Sequence, residues 1–147
     1  MFSRIVVGTD GSETAQVAVR EAAELARKTG ADLLLVSAYE PVPQSRLRTE
    51  QMEAPDDIAH TVGPREDVDA ILSGAASEVD AAGVKVHTFA RQGEPADAIL
   101  DVAEEEGADL IVVGNKGMTG AKRFLLGSVP NKVSHHAPCS VLIIRTT

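Results

Sequence analysis

The chain has no tryptophan, one tyrosine and three phenylalanines in 147 residues. The aromatic surface on which a flavin would stack is therefore missing. Cysteine is nearly absent too: Cys139 stands alone, so no internal disulfide can form and a reducing cytoplasm is the expected home. No apolar run approaches the ~20 residues that a bilayer span needs, which argues against membrane insertion. Met1 to Arg4 leads straight into Ile5-Val6-Val7 without a basic segment, a long apolar core or a cleavage site, so no secretory signal is expected. Basic residues are outnumbered, 14 Lys and Arg against 22 Asp and Glu, and the net charge of −8 argues against a general nucleic-acid binder. Several signatures are missing as well. There is no G-x-x-x-x-G-K-[ST], no G-x-G-x-x-G after the first strand and no G-x-S-x-G. His135 and His136 are adjacent rather than four apart, so they form no helical metal pair. Asp10 has no acidic neighbours of the kind a phospho-receiver needs.

What is present is an alternation of strand and helix patterns in a length that fits one domain over residues 1–147. Strands are expected at Ile5–Gly8, Asp32–Tyr39, Val84–Ala90, Asp109–Val113 and Cys139–Arg145. Their all-apolar cores, such as Leu33-Leu34-Leu35-Val36, suit strands covered on both faces. Helices are expected near Glu13–Lys28, Arg65–Ala82, Pro95–Glu106 and Val129–His136. Gly30-Ala31-Asp32-Leu33 and Gly107-Ala108-Asp109-Leu110 repeat one helix-stop, strand-start device. Residues 40–64 carry Pro41, Pro43, Pro55 and Pro64 and read as a long variable loop, with room for one helical turn. The fold class is α/β: a doubly wound, five-stranded parallel sheet with helices on both faces. Such sheets bind ligands beyond the carboxyl ends of their strands, where the winding direction reverses.

Two loops at such ends carry the chemistry. The first reads Gly8-Thr9-Asp10-Gly11-Ser12. The second runs from Gly114-Asn115-Lys116-Gly117 to Leu126-Gly127-Ser128-Val129, with glycines spaced G-x2-G-x9-G and a serine immediately after. Glycines 114 and 117 could turn backbone amides toward an anion without Cβ obstruction, and Gly127-Ser128 stands ahead of a helix whose positive end favours negative charge. Charge points the same way. Residues 1–109 hold 9 basic and 22 acidic side chains, 9 − 22 = −13, whereas residues 110–147 hold 5 basic ones (Lys116, Lys122, Arg123, Lys132, Arg145) and no acidic one. A plainer reading stays beside this one: the glycines make a tight turn, Ser128 is an ordinary N-cap with Pro130 in the first turn, and Asp10 forms an Asx turn.

Val6-Val7-Gly8-Thr9-Asp10-Gly11-Ser12, Gly93-Glu94-Pro95, Asp109-Leu110-Ile111-Val112-Val113-Gly114 and Gly127-Ser128-Val129 resemble the signature segments of the universal stress protein family, in order and spacing. The glycine pattern resembles that of the family's ATP-binding branch. The resemblance implies strand order 3-2-1-4-5, a homodimer joined through the last strand (Val141 to Arg145), and an adenine nucleotide between the loops after strands one and four. Thr9 and Asp10 would then contact the adenosine, and the backbone near Ala38 and Tyr39 would border the base. Val113, Gly114, Lys116, Gly117, Gly127, Ser128 and Val129 would hold ribose and phosphates, with Mg arriving only through the phosphates. Many ATP-binding relatives have a hydroxyl-bearing residue where Pro130 stands, and proline removes an amide from the helix start. ATP is the expected ligand, in a regulatory role in stress response. A cyclic AMP or AMP binder and a nucleotide-free dimeric interaction module are the alternatives. No positioned general base or metal cluster marks an efficient ATPase, and slow hydrolysis is left open.

Overall fold

The computed structural model describes residues 1–40, 64–115 and 126–146. Lys116, Gly117, Lys122, Arg123 and the core of the 40–64 loop lie outside the described residues. The elements run β1 (Arg4–Gly8), α1 (Glu13–Thr29), β2 (Asp32–Tyr39), α2 (Pro64–Ala81), β3 (Val86–Gln92), α3 (Pro95–Glu105), β4 (Leu110–Gly114), α4 (Ser128–His136) and β5 (Ser140–Ile144). All four strand pairings are parallel, in the order β3-β2-β1-β4-β5. The winding reverses between β1 and β4, where Val6 pairs with Ile111.

Side-chain alternation along the strands splits the core into two layers. Ile5, Val7, Leu33, Leu35 and Val112 face α1 and α2, packing on Ala18, Ala22, Val68 and Leu72. Val6, Leu34, Val36, Ile111 and Val113 face α3 and α4, packing on Ile99, Val102, Val129 and Val133. Every one of these strand residues is buried, which accounts for the lack of polar alternation in the sequence. Alanines dominate the buried face of α1 and bring that helix close to the sheet.

Helix ends follow local chemistry. Ser12 caps α1, its hydroxyl accepting from the Ala15 N–H at 3.2 Å. At the other end Gly30 takes φ 75°, and the Ala31 N–H donates to the Ala26 carbonyl. Gly107, at φ 65°, repeats the device, with Ala108 donating to Ala103. The third strand starts two residues later than the pattern suggests. The Val84 amide turns back to the Val79 carbonyl to close α2, so the ladder opens at Val86 and runs on to Gln92 against Tyr39. β5 forms one edge of the sheet, and Leu142 and Ile143 on it are each 39% exposed.

Candidate functional site

The carboxyl end of β1 opens into a turn built from its own side chains. Thr9 is buried, and its amide donates to the Val36 carbonyl at 2.9 Å, which ties the turn to β2. Its hydroxyl accepts from the Gly11 N–H at 3.1 Å. Asp10 Oδ1 accepts from the Ser12 N–H at 2.9 Å. This is the Asx turn of the plainer reading, and it occupies one of the two carboxylate oxygens.

Beside this turn, Gly8, Thr14, Ala15, Ala18, Ile99, Val113, Gly114, Val129 and Thr146 surround a cavity of about 20 Å³. That is room for one water molecule, so a larger ligand would rest across the mouth rather than inside. Val113, Gly114 and Val129, named from the sequence, meet here with the end of β1. Asp10 and Thr9 sit on the adjoining turn.

The start of α4 differs from expectation. Gly127, not Ser128, is the N-cap, with φ −63° and ψ 164°. Ser128 is exposed at the first helical position, and Pro130 is buried at the third. The Gly127 amide is taken by the Asn115 carbonyl at 2.9 Å. Of the first three helical positions only Ser128 and Val129 have an amide to offer, because proline has none. The helix start therefore has two backbone donors in its first three positions, fewer than the glycine pattern alone implies.

Two more residues stand at strand ends without lining this cavity. Tyr39 ends β2, and the Arg65 guanidinium lies 5.7 Å from its ring centroid, with Arg65 Nη1 donating to the phenol oxygen at 3.3 Å. The phenol contact, more than the Asp69 carboxylate, holds the Arg65 guanidinium above its ordinary pKa. Ala38 lies one residue earlier, and its side chain packs on the opposite face of the sheet. The second residue, Asn115, joins the end of β4 to the backbone after β5: its Oδ1 accepts from the Thr146 amide at 2.9 Å. Sequence reading missed Arg65 and Asn115, whose partners lie 26 and 31 residues away.

Part of the local positive charge is already engaged. Lys132 Nζ lies 2.8 Å from Asp97 and 3.4 Å from Glu94, and the Asp97 contact raises its pKa. Cys139 is half-buried, and desolvation followed by the Asp109 carboxylate pushes its thiol pKa up, which disfavours the thiolate. Among the described residues no cluster of three His, Cys, Asp or Glu could hold a metal. No described helix is long and apolar enough to cross a membrane.

The fold is a doubly wound α/β sheet with a small cavity at the β1/β4 reversal, the place where such sheets as a class bind ligands. The model of the "Universal stress protein family" matches residues 1–145, and the chain belongs to that family. Universal stress protein Rv1636 of Mycobacterium tuberculosis is 39% identical over 149 residues, covering 99% of this chain and 98% of the relative. The solved structure of a universal stress protein in complex with cAMP is 34% identical at TM-score 0.73, covering 99% of this chain and 98% of the other. The universal stress protein of Archaeoglobus fulgidus in complex with dAMP is 28% identical at TM-score 0.68, covering 97% and 98%.

Proposed function

We propose that residues 1–147 act as one domain that binds an adenine nucleotide across the mouth of the β1/β4 cavity and serves as a regulatory protein in stress response. The observation that carries the reading is the convergence, at one cavity, of the β1 end, Val113-Gly114 and the amino end of α4. Thr9 and Asp10 are assigned to the adenosine, and the backbone at Ala38 and Tyr39 to the base. Gly114, Gly127, Ser128 and Val129, with Lys116 and Gly117, are assigned to ribose and phosphates, and Mg would come only with a polyphosphate. The chain's own contribution is positional: Asp10 is oriented by its turn, and the Ser128 and Val129 amides face a phosphate with the helix dipole behind them. ATP is the first ligand to test, on the glycine pattern.

A single-phosphate ligand, cyclic AMP or AMP, is the second reading. It is favoured by the loss of the Pro130 amide, the engagement of the Gly127 amide, and the relatives that carry cAMP and dAMP. The exposed Leu142 and Ile143 on the edge strand suit a homodimer through Val141–Arg145, because an open apolar edge invites pairing. Calorimetric titration with ATP, cyclic AMP and AMP side by side, with mass spectrometry of any ligand released from the purified protein, tests the reading. Micromolar binding of at least one supports it, and no binding of any at millimolar concentration overturns it.

A further inference from the structure

The backbone that follows β5 reaches the same cavity. Thr146 is half-buried and lines the cavity with Gly8, Gly114 and Val129. A side chain at the end of β4 holds it there. Asn115 Oδ1 accepts from the Thr146 N–H at 2.9 Å and from the Thr146 hydroxyl at 3.1 Å, which uses both lone-pair positions of the amide oxygen. Asn115 is itself fixed on two other sides: its N–H donates to the Ile144 carbonyl at 2.9 Å, and its carbonyl accepts from the Gly127 N–H at 2.9 Å. The Thr146 methyl then lies 3.1 Å from where a Cβ on Gly114 would stand. Gly114 is thus bare beneath Thr146, whatever it does for a phosphate.

We propose that Asn115 and Thr146 form a latch that makes the backbone after β5 a wall of the ligand cavity, so that a bound nucleotide and the docked Thr146 stabilise each other. The inference rests on the nucleotide reading of this site. Both are positioning residues. Asn115 acts through Thr146 and through the Gly127 amide that sets the start of α4. Linkage fixes the size of the effect from both directions: the factor by which the latch raises affinity equals the factor by which nucleotide holds the latch closed.

AMP binding is measured by calorimetry for wild type, Asn115→Ala, Thr146→Val and Thr146→Ser, and exchange of the Thr146 amide is followed by NMR with and without saturating AMP. Asn115→Ala keeps its backbone bonds and loses both side-chain bonds, so affinity falls roughly tenfold, the equivalent of about one net hydrogen bond. Thr146→Val loses only the hydroxyl bond and falls roughly threefold, whereas Thr146→Ser keeps it and stays within about twofold of wild type. AMP slows exchange of the wild-type Thr146 amide. Unchanged affinity in Asn115→Ala and Thr146→Val, or Thr146 exchange indifferent to AMP, overturns the latch while leaving the nucleotide site standing. Failure of the wild type itself to bind AMP, cyclic AMP or ATP overturns both. If Asn115→Ala does not fold by far-UV circular dichroism, Thr146→Val against Thr146→Ser decides.

Discussion

Replacing Pro130 with alanine tests where a phosphate would sit. The first turn of α4 offers the Ser128 and Val129 amides, and the Asn131 amide is already bonded to the Gly127 carbonyl at 3.0 Å. Alanine at 130 raises the donors at the helix start from two to three. In the unliganded protein the new N–H stands at a buried position without a designed acceptor, which costs about 1–3 kcal/mol. Losing the proline's restriction of the unfolded chain costs about 0.4–1 kcal/mol more. At roughly 2–4 °C per kcal/mol for a chain this long, the unliganded Tm falls by several degrees. A nucleotide phosphate placed at the helix start gains one charge-assisted hydrogen bond, about 1.5–3 kcal/mol, which is roughly a ten- to hundredfold gain in affinity. Adenosine has no phosphate and gains nothing. The assay is calorimetry of wild type and Pro130→Ala with AMP and adenosine in parallel. Unchanged AMP affinity, or an equal gain for adenosine, refutes the placement of phosphate at α4.

Tyr39 is the chain's only tyrosine and there is no tryptophan, so intrinsic fluorescence reports the end of β2 alone. A base bordered by Ala38 and Tyr39 changes that emission on nucleotide addition, and an unchanged spectrum at saturation places the base elsewhere. Ser12→Ala removes the cap bond to Ala15 and destabilises the fold by about 1 kcal/mol, a drop of roughly 2–4 °C in Tm, while Ser12→Asp leaves it nearly unchanged. A wild-type Tm in Ser12→Ala would contradict the capping role. Leu142→Lys puts a charge on the exposed edge strand, and sedimentation is expected to show a dimer for the wild type and a monomer for the variant. Identical sedimentation of the two excludes an interface at that position.

The core strands were legible because each is buried on both faces, so Leu33 to Val36 could be written without a polar residue, and strand and helix periods are distinct. The stops at Gly30 and Gly107 were legible because only the local backbone decides them. Strand order was different. Periodicity supplies five strands without their neighbours, and β3-β2-β1-β4-β5 was anticipated from the family resemblance. The start of β3 was misplaced because Val84 is apolar in either role, and the competing bond to Val79 is a matter of geometry. At the site, the glycines and Asp10 stood out as residue types. The cap at Gly127 and the Asn115–Thr146 latch depend on partners brought together by the β4–β5 register, which no short window of sequence contains.

A nucleotide bound as proposed touches the ends of β1 and β4 and the start of α4 at once. Titrating isotope-labelled protein with ATP, cyclic AMP and AMP in turn while following every backbone amide by NMR tests it directly. Saturable shifts are expected at Gly8 to Ser12, Val113 to Asn115, and Ser128 and Val129, with the far ends of the strands unmoved. Shifts confined to other surfaces, or none with any of the three at millimolar concentration, would contradict it.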